Sequence, residues 1–306
     1  MDEPRVPDVP LVPDIEVAAS TARTRPQSSR SKVWARMRRS RLFIGSVFVL
    51  ALMLLIALVP GLFATHSPYE CDLGRSLLTP SRDHWFGTDL QGCDYYSRVM
   101  YGARTSIVVG VTTTVFASLI AVIAGAAAGY FRGIVDVIVS RLADMFFAIP
   151  LLLAAVVVLA ITPDTSLIQL SLVLAVFGWP AMMRLMRASV LTVAEADYVT
   201  AARAIGASHL QILRRHILPN AFAPVLVYAT MTVGMVIAAE ATLTYLGVGF
   251  DTPSISWGLM VASAQERVMQ HPYLLLFPGL FLSLTILGFV LLGDALRDAL
   301  DPRSLK

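Results

Sequence analysis

Six runs of uncharged, mostly apolar residues punctuate this chain, at 42–64, 105–131, 145–163, 165–183, 221–239 and 271–293. Each is close to the roughly 20 residues that an α-helix needs to cross a hydrocarbon core about 30 Å thick. A backbone in lipid must satisfy its own N–H and C=O groups, so each run is predicted to be a helix. The pattern therefore predicts an all-α polytopic membrane protein with six transmembrane helices. The third and fourth runs are parted only by Thr162, Pro163 and Asp164, a turn-forming triplet. A buried hairpin that never fully crosses is the alternative there.

Composition agrees with this reading. Of 306 residues, 56% are hydrophobic and only 15% charged, and the mean hydropathy is +0.69. A soluble domain of this size carries more charge, spread evenly along the chain. Orientation is read from where Lys and Arg fall, because cytoplasmic flanks retain them. Arg23, Arg25, Arg30, Lys32, Arg36, Arg38, Arg39 and Arg41 precede the first run, and Arg184, Arg187, Arg203, Arg214 and Arg215 surround the segment between the fourth and fifth. Both ends are thus expected in the cytoplasm. The same rule accounts for the basic N-terminal flank without nucleic acid. Residues 1–38, Pro-rich and without apolar periodicity, are expected to be a disordered tail, and 39–306 a membrane domain with an outer loop at 65–104 and a cytoplasmic loop at 187–220. The first run is too long for a signal-peptide core and lacks a small-x-small cleavage site, which favours an anchor.

The two cysteines, Cys71 and Cys93, both fall in the outer loop. An oxidising compartment favours a structural disulfide between them, and two unrelated buried thiols are the alternative. No Cys-x-x-Cys spacing is present and only His66 and His84 lie nearby, so no metal site is expected.

Between the fourth and fifth runs stands a polar insert, DYVTAARAIGASHLQILRRHILPN, at 197–220. Tyr198, Ala202 and Ile205, then Leu210, Leu213 and Ile217, give two short apolar faces at helical spacing. Gly206 lies between them, and Ser208 with Gln211 forms a candidate capping box. Two readings fit: a slim pair of helices that docks into a partner, or an amphipathic segment held at the lipid surface by its basic side chains.

Glu240 follows Asn220 by about 30 Å of helix, which places it near the outer interface. It either makes a structural hydrogen bond or lines the path or an outer gate. Arg141 and Asp144, spaced i,i+3 with Asp136 before them, are read as local pairing. His209 and His216 have no metal-ligand set around them and are read as partner packing. Met145, Met182, Met183 and Met186 are read as core or lipid-facing filler.

The order of residues in AARAIGAS…HILPN resembles the EAA loop of ABC importer permeases. HWFGTDLQGCDYYSRVMYGARTSI at 84–107, GYFRGIVDVIVSRLADMFFAIP at 129–150 and EATLTYLGVGF at 240–250 resemble the other landmarks of the dipeptide, oligopeptide and nickel permeases. The resemblance runs from Arg39 to Lys306 and implies the type I importer permease fold, the MetI-like fold. Two departures stand out. Thr200 occupies the position of the loop's eponymous Glu, and Cys93 replaces an Arg that often follows the glycine here numbered 92.

The resemblance further implies a translocation path shared with a second, homologous permease subunit in the lipid bilayer. Two cytoplasmic ATPase domains would use ATP and Mg, and an extracytoplasmic solute-binding protein would deliver peptide. It implies coupling to the ATPases through Thr200, Ala201, Ala202, Arg203, Gly206, Leu210, His216, Leu218 and Pro219. This chain holds no G-x-x-x-x-G-K-[ST] phosphate loop, so it is expected to be a non-enzymatic subunit without a cofactor of its own. The alternatives are an importer for nickel or another small solute and an ion-coupled secondary transporter. The latter asks for carboxylates nearer mid-helix and for related halves. A channel would need a filter, and an intramembrane enzyme a reactive pair at depth; neither is seen.

Overall fold

The computed structural model describes residues 37, 38, 40–162 and 165–300. Apart from Met37 and Arg38, the expected tail at 1–38 lies outside the described residues, as do Pro163 and Asp164 of the expected turn. No strand occurs among the described residues, which form only isolated bridges such as Cys71 with Cys93.

Five helices are long and apolar enough to cross a membrane, and a bent pair makes a sixth if counted as one span. The first, α1 (Arg41–Leu58), starts at Ser40, whose Oγ accepts the Phe43 N–H. It ends where Pro60 pushes Val59 out of the helical region. A single turn, α2 (Pro60–Phe63), follows. Arg104 closes the end of α1 by donating to the carbonyls of Ala57 and Leu58, at 3.0 and 2.8 Å.

The longest helix, α3 (Tyr95–Phe131), has 37 residues and begins ten positions before the apolar run. Its start is set by Asp94, whose side chain accepts from the Ser97 N–H. Its polar first turns are buried against protein instead of lipid, which is why hydropathy alone misses them. Arg132 and Gly133, both at positive φ, break the chain between α3 and α4 (Gly133–Phe147).

The third apolar run is not one straight crossing. Helix α4 takes up Met145 and stops before Pro150, and α5 (Leu151–Ala160) leaves at 76°. Proline removes a donor and drives the preceding residue out of the helix. The ten residues of α5 reach only about 15 Å.

Helix α6 (Leu167–Ala194) lies along α3 in the most extensive helix pair of the fold. Their seam is built on Gly125 and Gly129, four apart on α3. A Cβ at Gly125 would sit 2.6 Å from the Met183 carbonyl oxygen, and one at Gly129 would sit 2.9 Å from that of Arg187. Such close backbone approach is the usual way helices associate where lipid supplies no hydrophobic drive. Two short helices, α7 (Asp197–Ala204) and α8 (His209–Ile212), lead through a wide turn (Leu213–Ile217) into α9 (Leu218–Tyr245). From His209 to Tyr245 the chain is one 37-residue helical span. A short α10 (Trp257–Ala264) and the last span, α11 (Tyr273–Leu300), complete the bundle.

The apolar interior falls into three groups. One joins α1, the first half of α3, α10 and α11 around Trp257. Another joins the second half of α3, α6, α7 and the start of α9 around Met182, Met183 and Met186. A smaller group sits between α5, α6 and α9. The methionines expected as filler are thus split: three are fully buried, whereas Met145 is 68% exposed.

Candidate functional site: a glycine-turn knob and a buried carboxylate

At one end of the bundle the polar insert folds into two short helices that meet at Gly206. Gly206 adopts φ +82°, with open space where a Cβ would be. The turn closes with the Gly206 N–H donating to Arg203 O and the Ala207 N–H to Ala202 O, at 3.0 and 3.1 Å. Ser208 then caps α8, its Oγ accepting the Gln211 N–H at 3.3 Å.

Each short helix buries one side and bares the other. Val199, Ala202, Ile212 and Ile217 are buried against the end of the bundle. Ile205 is 86% exposed and Leu210 62%, with Tyr198 also exposed, so the glycine turn carries an apolar tip into solvent. Of the residues singled out by sequence, Thr200, Ala201, Arg203, Gly206, Leu210 and Pro219 are exposed, Ala202 is buried, and His216 and Leu218 are half-buried. The apolar faces read from sequence are therefore divided: Ala202 and Ile217 hold the knob to the bundle, while Ile205 and Leu210 face outward.

The knob is fastened to the foot of α3 as well. Tyr130 Oη lies 2.8 Å from His209 Nδ1, and the Arg203 guanidinium stands 5.9 Å over the Tyr130 ring. Arg132 pairs with Glu195 at 3.0 Å. Nearby, Asp136 accepts both Nε and a terminal nitrogen of Arg187 at 2.5 Å. Asp144 pairs more closely with Arg184, at 2.7 Å, than with Arg141, at 3.8 Å. The local i,i+3 pair expected from sequence is thus accompanied by tighter ties from α4 to α6.

The wide turn into α9 has a specific cause. Pro219 has no N–H, and its ring would crowd the carbonyl four residues back. The helix opens instead: the Leu218 N–H donates to Leu213 O, five residues back. Asn220 Nδ2 donates to His216 O at 2.6 Å.

At the opposite end, the segment between α2 and α3 folds over the head of α3. The Cys71–Cys93 disulfide closes it. Asp89, in the same segment, pairs with Arg98 of α3. Asp94 is buried, and that burial raises its carboxyl. Hydrogen bonds from Ser97 and His84 outweigh burial and hold it below the ordinary carboxylate value.

Glu240 also lies toward this end and is fully buried. Its Oε1 accepts from Ser256 Oγ at 3.0 Å and Thr244 Oγ1 at 3.2 Å, and its Oε2 from Ser106 Oγ at 3.2 Å. Ser106 Oγ in turn accepts the Trp257 N–H, and Trp257 Nε1 donates to Val99 O. One carboxylate thus joins α3, α9 and the segment leading into α10. Only Thr244, one turn away, was within reach of local sequence reasoning.

Two family profiles match this chain. The one described as binding-protein-dependent transport system inner membrane component covers residues 99–306. That described as the N-terminal TM domain of oligopeptide transport permease C covers residues 28–80. The chain belongs to the binding-protein-dependent transport permeases. The dipeptide transport system permease protein DppC of Bacillus subtilis (strain 168) is 37% identical to this permease over 271 residues, spanning 88% of this chain and 84% of that one. The oligopeptide transport system permease protein OppC of the same organism is also 37% identical over 271 residues, spanning 89% and 88%. Among solved structures, a chain of the MetNI methionine ABC transporter in inward-facing conformations aligns with a TM-score of 0.54 at 20% identity. It covers 67% of this permease and 97% of that chain. The fold is the MetI-like type I importer fold. Thr200 of the permease is exposed.

Proposed function

We propose that this permease is one membrane subunit of an ATP-driven importer of dipeptides or oligopeptides, seated as a multi-pass protein in a bacterial inner membrane with both termini in the cytoplasm. A second, homologous permease would complete the path. Two cytoplasmic ATPase domains would bind ATP and Mg, and an extracytoplasmic binding protein would deliver the peptide. The observation that carries the reading is the knob at Gly206, apolar at its exposed tip and continuous with a helix that spans the bundle. The relatives named for dipeptide and oligopeptide transport support the substrate class.

ATPase closure would press on Ala201, Gly206 and Leu210 at the knob's outer face. Ala202, Leu218 and Pro219 would pass the displacement into α9, with Thr200, Arg203 and His216 at the rim of the contact. The 37 residues from His209 to Tyr245 reach about 55 Å as helix, so movement at the knob arrives at the Glu240 junction. There it would shift the outer segment between two arrangements, which is what coupling between distant sites requires. Glu240 acts in this scheme as the joint of the outer gate. The test is ATP-dependent uptake of labelled di- and oligopeptides by proteoliposomes holding the assembled complex. Replacing Gly206 by Trp should abolish uptake and uncouple ATP hydrolysis. Ion-driven uptake by this chain alone would overturn the proposal in favour of a secondary transporter, and an active complex that ignores peptides would redirect the substrate to nickel or another small solute.

A further inference from the structure

The segment that folds over the head of α3 brings together three side chains that the transport scheme does not use. His66 follows α2, His84 precedes the FGTD stretch, and Asp94 caps α3. Asp94 Oδ1 lies 2.8 Å from His84 Nδ1 and 3.7 Å from His66 Nδ1. One ligand atom from each of the three lies within 4.8 Å of the others, the one such group of three among the described residues. His84 Nδ1 is hydrogen-bonded to Asp94 Oδ1, and His66 Nδ1, which also contacts Thr65 Oγ1 at 3.1 Å, stands within reach of the same atom. From this geometry we infer that His66, His84 and Asp94 form a binding site for a divalent transition-metal ion of the Zn2+ class.

The donor set selects the ion. Two imidazoles and one carboxylate suit Zn2+ and its neighbours, whereas Ca2+ and Mg2+ take oxygen shells. Ligands at 2.0–2.1 Å around a tetrahedral ion stand about 3.3 Å apart. His66 has to close by a few tenths of an ångström and His84 to open by about half of one. Such movement is within reach of His66, whose side chain is 47% exposed.

The carboxylate is oriented from behind. Its Oδ2 accepts the Ser97 N–H at 2.9 Å and Thr65 Oγ1 at 3.4 Å, leaving Oδ1 toward the two rings. Outer contacts of this kind fix the ligands of metal sites. On binding, the proton at His84 Nδ1 is given up and the ring turns its lone pair to the ion. The exposed edge of His66 leaves a fourth position for water. Arg75 lines the cleft beside the site, but its charge is engaged by Asp72 at 3.2 Å. The ion would tie the start of the folded segment to the head of α3, one residue from the Cys93 disulfide.

The test uses the untagged full chain in nanodiscs under non-reducing conditions, so that neither a tag nor free thiols supply ligands. Equilibrium dialysis against Zn2+, with Co2+ visible absorption as a reporter of the ligand field, measures stoichiometry and affinity. One equivalent of Zn2+ is expected, unaffected by excess Mg2+ or Ca2+. His66→Ala, at the exposed ligand, and Asp94→Asn, which keeps the helix cap, should each weaken binding by more than about tenfold and remove the Co2+ spectrum. His271→Ala should change neither. Failure of the wild type to retain one equivalent would overturn the inference, and so would unaltered binding in both ligand variants.

Discussion

Removing the Glu240 carboxylate separates an anchoring role from a role for charge. In Glu240→Ala the hydroxyls of Ser106 and Ser256 lose their acceptor in a site closed to water, since both residues are fully buried. Thr244 can turn to the carbonyl one turn back, as its type commonly does in helices. Two stranded hydroxyls at about 1–3 kcal/mol each, plus the cavity left by the side chain, are opposed by relief of a costly buried carboxylate. The net expectation is a loss of about 2–4 kcal/mol. Glu240→Gln fills the same space and accepts through its carbonyl from Ser256, but its amide cannot accept from Ser106, which already takes the Trp257 N–H, so one hydroxyl loses its acceptor. With relief of the buried charge set against that one hydroxyl, it should cost about 1–2 kcal/mol, less than the alanine variant. Thermal unfolding of the detergent-solubilised chain measures the first quantity. ATP-driven uptake by the assembled complex shows whether transport declines with it, strongly in the alanine variant and weakly in the glutamine one. The anchoring argument is refuted if both variants unfold at the wild-type temperature and both lose uptake, because the negative charge would then be acting in transport itself.

Gly125→Ala presses a methyl group against the α6 backbone, where overpacking costs about 1–3 kcal/mol; Gly45→Ala, with nothing within 4 Å, meets no such obstacle. The first should lower the unfolding temperature relative to the second, and equal values would contradict the close α3–α6 seam. Substituting Ser for both Cys71 and Cys93, which lie 22 residues apart, should cost about 3 kcal/mol through the freed loop, read as earlier proteolysis of that loop on heating. Leu210→Asp should leave the stability to unfolding within about 0.5 kcal/mol of wild type, as an exposed site allows, yet abolish co-purification with the ATPases; retained assembly would move the contact elsewhere on the knob.

The long apolar runs announced the spans because lipid forces helix on any backbone it surrounds. Their ends were harder to read wherever protein replaces lipid as the surroundings. The first ten residues of α3 carry Arg98 and Arg104, and only the cap at Asp94 marks the true start. Pro150 lay in plain view inside the third run, but a proline can kink a helix or end it, and the 76° bend depends on what packs alongside. Gly125 and Gly129 carry the four-residue spacing of a close helix seam in the sequence itself, and that signal was available. The knob was legible because its glycine, its cap and its apolar faces are all local. Glu240 and the His66, His84 and Asp94 group were not, because the residues that define them come from separate elements. No short-range motif records a ligand set that only the folded segment assembles.

The unbroken helix from His209 to Tyr245 fixes an angle as well as a distance. Each residue turns a helix by about 100°, so the compass bearing of Glu240 at one end is locked to that of the docking knob at the other. One residue more or fewer anywhere between them would swing the carboxylate away from its three hydroxyls while the knob stayed in place. The wide turn at Leu213–Ile217 already takes up one residue beyond an α-helical ladder. The phase between the two ends of the bundle is therefore set at Pro219, and a change in the length of the loops beyond either end of this rod leaves it untouched.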